Sequence, residues 1–207
     1  MPPIVIDVIN MPFNNEITYV DLMLYLQQFL KSEKKVYVEI GVSVLKTFYQ
    51  MASYLTNSEL YAYDINKINP SIEKLFEKIN TENNPSIYNF NKNLVRYYQG
   101  DVYKKDDFEG LLKKMDSKAN IIFSDACHRP DALINEYEYF IKNTLDDEFI
   151  LYYDDLGEAK IQGAFFEIAN RIGKLKNISL QNHVAFVKVN GWLGEHDVVG
   201  KHVNGII

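Results

Sequence analysis

Val36-Tyr-Val-Glu-Ile-Gly41, followed after a helix-like run by Glu59-Leu-Tyr-Ala-Tyr-Asp64, decides the fold. The first stretch reads as a buried strand ending on a glycine, the second as a strand ending on a carboxylate. Between them Val44, Leu45, Phe48, Met51, Ala52 and Leu55 recur with a helical period of 3.6. Strand, glycine turn, helix and second strand together open a nucleotide-binding βαβ unit. The glycine permits a sharp turn, and the helix N-terminus behind it offers unpaired N–H groups to a polar or anionic ligand. The carboxylate, about 20 residues downstream, is placed for ribose hydroxyls.

The alternation continues along the chain. Pro70 with Ile72, Leu75, Phe76 and Ile79 marks a helix, and Val95 to Asp101 a third strand ending in Gly100-Asp101. A short helix over Phe108 to Met115 leads to Asn120–Asp125, a nearly all-apolar strand of the kind buried on both faces. Leu133, Ile134, Tyr137, Phe140 and Ile141 mark the next helix. Glu148 to Asp154-Asp155 is a fifth strand, and Ile161, Ala164, Phe165, Ile168, Ala169 and Ile172 form the stripe of a last helix. Asn177 to Leu180 and His183 to Val189 read as a closing hairpin. The expectation is one α/β domain over 1–207. Its sheet is doubly wound, Rossmann-like and mostly parallel, with a C-terminal antiparallel hairpin strand. Residues 1–34 read as an N-terminal helical extension, the Asn-rich stretch 80–93 as an insertion loop, and 191–207 as a tail without period.

Composition narrows the function classes. The 207 residues are 47% hydrophobic, ample for a core. No apolar run approaches the ~18 residues of a membrane span, and no basic region precedes an apolar one at the start. A cytoplasmic protein without a membrane partner is expected. Cys127 is the only cysteine, which excludes an internal disulfide and a cysteine-cluster metal site. A formal charge of -6 argues against broad nucleic-acid binding and leaves a small-molecule partner, with a homodimer open.

Ligands of doubly wound sheets bind beyond the carboxyl ends of the strands. Here those ends carry Glu39, Gly41, Asp64, Gly100, Asp101, Asp125, Asp154 and Asp155. On Glu39-Ile-Gly41, Asp64, Gly100-Asp101, Ser124-Asp125-Ala-Cys-His128 and Asp154-Asp155, the chain resembles a class I S-adenosylmethionine-dependent methyltransferase. The small O-methyltransferases whose first motif reads Val-Glu-Ile-Gly are the nearest match, over roughly Val36 to Val189. The resemblance implies S-adenosylmethionine as cofactor, with Glu39, Gly41 and Ser43 at its methionine part. Asp64 and Ile65 would stand at the ribose, Gly100 and Asp101 at the adenine, and Asp125 beside them.

In the metal-dependent members the acid ending the fourth strand binds a divalent cation. The resemblance therefore implies Asp125, Asp154 and Asp155 as an all-oxygen set suited to Mg2+. It also implies His128, three positions after Asp125, as the general base on a substrate hydroxyl; an ordinary imidazole pKa of ~6.5 suits that work. One residue departs from the family pattern. Leu45 stands where a second glycine is usual, although Thr47 keeps the small hydroxyl residue. A side chain at 45 can crowd the cofactor carboxylate.

The implied activity is transfer of a methyl group from S-adenosylmethionine to a hydroxyl oxygen of a small molecule. The alternative, for which Leu45 argues, is a catalytically silent binding or scaffold protein with a degenerate cofactor loop. A nicotinamide-dependent oxidoreductase is the weaker third, since no Gly-x-Gly-x-x-Gly and no Tyr-x-x-x-Lys is present. Plainer roles compete at each position. Asp64 can end a strand and cap a turn, and Asp155 with Glu158 reads as a capping box. His128-Arg129-Pro130 can be no more than the entry to a helix.

Overall fold

Every residue of Val36–Ile40 is buried, because the strand is flanked on both sides and covered on both faces. The computed structural model describes residues 4–6, 17–82, 84–178, 184–190 and 201–207. Among them β1 (Ile4–Ile6) and α1 (Tyr19–Leu26) precede β2 (Val36–Ile40), α2 (Lys46–Tyr54) and β3 (Glu59–Asp64). Then come α3 (Pro70–Glu73), the strands β4 (Glu77–Lys78), β5 (Ser86–Phe90) and β6 (Asn93–Gln99), and α4 (Lys105–Leu112). The chain continues with β7 (Ala119–Ser124), α5 (Pro130–Glu136), a π-helical turn (Tyr137–Ile141) and α6 (Lys142–Thr144). Last are β8 (Leu145–Tyr153), α7 (Ala159–Lys176), β9 (Ala185–Asn190) and β10 (Lys201–Ile206).

The sheet order is β1-β9-β10-β8-β7-β2-β3-β6-β5-β4. Strands β8, β7, β2, β3 and β6 are parallel, and β10 runs antiparallel to both β8 and β9. This is the doubly wound, mostly parallel sheet with a closing antiparallel strand that the sequence leads one to expect. From β2 the chain winds one way through β3 and β6, then returns to β7 and winds the other way. The order reverses between β2 and β7, so the crevice beyond those two strands is the topological switch point.

Side chains alternate across the sheet. Val38, Ile40, Tyr61, Tyr63 and Ile122 pack with Phe108, Phe140 and Phe165, on the face covered by α4, α5 and α7. Tyr37, Leu60, Ala62, Ile121 and Phe123 pack on the other face with Leu22 and Met23 of α1 and Phe48 and Met51 of α2. Thr18 starts α1 with a reciprocal capping box, its hydroxyl accepting from the Asp21 N–H while Asp21 accepts from the Thr18 N–H. None of the described helices is long and apolar enough to cross a membrane.

Several segments differ from expectation. The helix marked by Pro70 and the apolar spacing to Ile79 stops at Glu73, with Glu77–Lys78 forming β4, and Ile4–Ile6, in the stretch read as a helical extension, form β1. β9 falls on the expected His183–Val189 run, but its antiparallel partner is β10, not Asn177–Leu180. Asn177 instead closes α7 in the left-handed conformation (φ 53°), a role Asn takes readily, and residues 179–183 lie outside those described. The second hairpin strand falls in the stretch read as a patternless tail, where Lys201-His-Val-Asn-Gly-Ile shows no alternation. The Asn-rich stretch 80–93 contains β5, which pairs antiparallel with β6. Asn91 and Lys92, both at positive φ, form the two-residue turn between them, where mirror-image turns match the strand twist.

Candidate functional site

Gly41 ends β2 at φ 88°, and a Cβ built on it would lie 2.3 Å from the Ala126 Cα. No other residue fits, so the turn after β2 can press against the turn after β7. Backbone bonds then carry the ladder one step past each strand. The Gly41 N–H donates to Tyr63 O at 2.8 Å, Gly100 to Asp64 O at 2.8 Å, Asp125 to Ile40 O at 2.8 Å and Asp154 to Ser124 O at 3.0 Å. The polar residues that follow the four strands are thereby brought level. Those after β2, β3, β6 and β7 border a cleft of about 330 Å³, within the size of small-molecule sites.

Gly41, Ser43, Asp64, Ile65, Gly100, Asp101 and Asp125 all line this cleft. Glu39, expected among them, does not. It lies buried beneath the loop, where it accepts from the Tyr37 hydroxyl and from the Phe48 N–H in the first turn of α2. Burial raises its carboxyl well above the ordinary value. Its work is to hold down α2, whose own N-cap residue offers no side-chain acceptor.

That N-cap residue is Leu45, at φ 62° and ψ 18°. The backbone keeps the left-handed conformation for which a glycine suits the position, and Leu45 bears the strain, on the order of 1–2 kcal/mol. Its side chain is 1% exposed and packs in the core with Phe48 and Tyr37, away from the cleft. The crowding expected of a side chain at 45 does not arise. We expect Leu45→Gly to relieve the strain but lose the buried isobutyl group, a net loss of roughly 1–3 kcal/mol, with ligand affinity nearly unchanged. Urea denaturation with a binding titration checks this; a large gain in affinity would show that Leu45 obstructs the cleft.

Asp64 is 7% exposed and both its oxygens are engaged. Oδ2 accepts from the Ser43 N–H at 2.8 Å, and Oδ1 accepts from the Asn66 N–H and side-chain amide at 2.8 and 3.1 Å. The carboxylate clasps the glycine loop to the turn after β3, so the plainer turn-capping role is present in the geometry. Asp101 is similar: its Oδ1 accepts from the Tyr103 N–H at 2.9 Å.

Beyond β7 and β8 a second group converges. His128 lies between two carboxylates, with Nε2 3.1 Å from Asp125 Oδ1 and Nδ1 3.3 Å from Asp155 Oδ2. The hydrogen bond to Asp125 raises the imidazole pKa above its ordinary value against the opposing effect of burial, and the charges of Asp125, Asp155 and Asp154 add to it. Burial raises the Asp125 carboxyl in turn, while His128 and a hydrogen bond with Asp154 pull the other way.

This arrangement is not the cation cage expected of Asp125, Asp154 and Asp155. The His128 ring separates Asp125 from Asp155, and among the described residues no group of three or more His, Cys, Asp or Glu is placed to hold a metal. Nor does Asp155 form a capping box with Glu158. Glu158 is itself the N-cap of α7, without a side-chain bond. Arg129 and Pro130 do begin α5, as the helix-entry reading requires.

Sequence reasoning missed Glu136. It lies in the apolar stripe of α5, fully buried, with Oε2 accepting from the Ser124 hydroxyl at 2.6 Å and Oε1 without a protein partner. Burial pushes its carboxyl up from 4.5 to about 8. A carboxyl whose folded pKa is raised contributes stability that is complete below pH 4.5 and is lost as pH rises through about 8. Glu136→Gln keeps an acceptor for Ser124 but cannot ionise. Its stability relative to wild type should therefore climb between pH 5 and 9 by on the order of a few kcal/mol. Parallel pH profiles of the urea midpoint would contradict this.

No protein-family model and no curated protein sequence matches the chain. Solved structures do. A protein from Clostridium thermocellum assigned as an rRNA methylase superposes with a TM-score of 0.55 at 12% identity, over 94% of this chain and 97% of its own. A precorrin-6y C5,15-methyltransferase from Geobacter metallireducens gives 0.52 at 13%, over 94% and 90%. A TDP-rhamnose 3'-O-methyltransferase of calicheamicin biosynthesis gives 0.52 at 13%, over 89% and 75%. At such identities the likeness is one of fold, and the fold is that of the class I methyltransferases. By their names, these neighbours act on rRNA, on C5 and C15 of precorrin-6y and on the 3'-oxygen of TDP-rhamnose, so the fold does not name an acceptor.

Proposed function

We propose that the chain binds S-adenosylmethionine in the cleft beyond β2, β3 and β6 and transfers its methyl group to a hydroxyl oxygen of a small molecule. The charge of the cleft carries this reading. Asp64, Asp101 and Asp125 line it, and no basic residue does among the described residues. Such a site favours a ligand with a sulfonium and an ammonium group and disfavours the pyrophosphate of a dinucleotide. The Gly41 turn supplies a wall that no side chain obstructs.

When bound, the cofactor supplies an electrophilic methyl group on a cationic sulfur. The protein's share is alignment and the handling of one proton. Asp64 would exchange its Asn66 amide partners for ribose hydroxyls, and Gly41 and Ser43 would border the methionine part. The acceptor hydroxyl would approach His128 from the open side of the Asp125–Asp155 pair. Nδ1 is the atom free to exchange partners, since its 3.3 Å contact with Asp155 is the longer of the two. His128 in its neutral form would take the proton of the acceptor hydroxyl at Nδ1, and the two carboxylates would stabilise the resulting imidazolium. No step is assigned to a metal. The silent-scaffold alternative rested on Leu45, whose side chain lies in the core, and no observation favours it.

The test is turnover of labelled S-adenosylmethionine on a panel of catechol-type and sugar hydroxyl acceptors, each paired with its deoxy analogue. Methyl transfer to a hydroxyl compound and not to its deoxy analogue is expected. Transfer to carbon or nitrogen acceptors alone would overturn the hydroxyl assignment.

A further inference from the structure

A second cleft, of about 740 Å³, opens beside the first and shares Ser43 and Asn66 with it. It exists because the crossover from β3 to β6 contains one short helix, the four-residue α3, before the chain turns into β4 and β5. Crossovers between parallel strands are usually covered by a helix of about 11–12 residues. Here the face of β6 at Tyr97 and Gln99 is walled instead by the turn at Lys67–Asn69 and by Lys78 and Ser86 of the added hairpin.

The chemistry of the two clefts is opposite. Among the described residues the first is lined by three aspartates and no basic residue. The second presents Lys67 and Lys78 against one carboxylate, Glu73. That carboxylate is already engaged, accepting from the Tyr88 hydroxyl at 2.7 Å, with Lys78 Nζ 3.6 Å from the same oxygen. Amide groups complete the polar wall. Asn69 Oδ1 accepts from the Ser71 N–H and Gln99 Nε2 donates to Ile65 O, so each amide keeps a second polar atom beyond those bonds.

We propose that this cleft is a binding site for a phosphorylated, hydroxyl-rich small molecule, a sugar phosphate in class. Lys67 and Lys78 would take the phosphate, and Asn69 and Gln99 the hydroxyls. The inference stands apart from methyl transfer, since neither lysine lines the cofactor cleft. Both lysines point to water and can be changed without opening the core. Lys67 is exposed, and the Lys78 side chain is 37% exposed.

The test is calorimetric titration of the protein with glucose 6-phosphate, glucose and inorganic phosphate, each with and without S-adenosylhomocysteine. Saturable binding of glucose 6-phosphate is expected, at least about tenfold tighter than either glucose or phosphate, and not displaced by S-adenosylhomocysteine, although Ser43 and Asn66 border both clefts. The Lys67→Gln/Lys78→Gln double variant should weaken it by about tenfold or more in a protein that stays folded. Absence of saturation at millimolar concentration would overturn the proposal. So would wild-type affinity in the double variant, or displacement of the sugar phosphate by S-adenosylhomocysteine. Failure of S-adenosylhomocysteine itself to bind would bear on the cofactor reading alone.

Discussion

His128→Ala is expected to lower the methyl-transfer rate by roughly 10²–10⁴, the usual contribution of one positioned general base, while leaving S-adenosylhomocysteine affinity close to wild type. The separation follows from placement. His128 is not among the residues lining the cofactor cleft, and its side chain is 35% exposed, so its loss opens no cavity in the core. It does remove the group that lies between Asp125 and Asp155. His128→Gln separates the two effects, because the amide can still bond to a carboxylate but cannot take a proton. Single-turnover rates and calorimetry on both variants check the prediction. Wild-type rates in either would remove His128 from the proton path.

Gly41→Ala is expected to destabilise the protein by about 3 kcal/mol or more and to abolish cofactor binding. Two penalties act together. At φ 88° an L side chain is strained, and the new Cβ would stand 2.3–2.5 Å from backbone atoms of Asp125 and Ala126, where no rotamer can relieve the clash. The turn after β7 must therefore move, carrying Asp125 with it. Chemical denaturation measures the first effect and a binding titration the second. A folded Gly41→Ala variant with wild-type affinity would show that the close approach of the two turns does not shape the site.

The parts of the structure legible in the sequence are those that local pattern dictates. The largely apolar strands β2, β3 and β7, the stripe of α2 and the alternation of strand and helix lead to the doubly wound sheet, and hence to a site beyond its strand ends. Strand-end acids could be named as site residues because topology brings all carboxyl ends to one edge. What stayed hidden depends on contacts far apart in sequence. Nothing local distinguishes Glu39, which points into the sheet face beneath α2, from a residue facing the cleft. Leu45 looks like an obstruction until its left-handed backbone turns the side chain inward. Glu136 sits in an otherwise apolar stripe, and its Ser124 partner is twelve residues away. The capping-box pattern at Asp155 and Glu158 was a local signal that the tertiary structure did not use. β10 carries no alternation and β5 lies in an Asn-rich stretch, so both owe their pairing to β8, β9 and β6. The second cleft arises from a helix that is short, which the apolar spacing of Ile72, Leu75, Phe76 and Ile79 conceals.

The measurement that bears most directly on the whole account is calorimetric titration of the protein with S-adenosylhomocysteine and, separately, with NAD. The acidic cleft and the Gly41 turn predict one S-adenosylhomocysteine per chain and no detectable NAD. They also predict that Asp64→Ala weakens the binding by roughly 1–3 kcal/mol, the cost of leaving buried polar groups unpaired. A folded wild-type protein that takes up no S-adenosylhomocysteine at millimolar concentration, or that binds NAD as well, would contradict it.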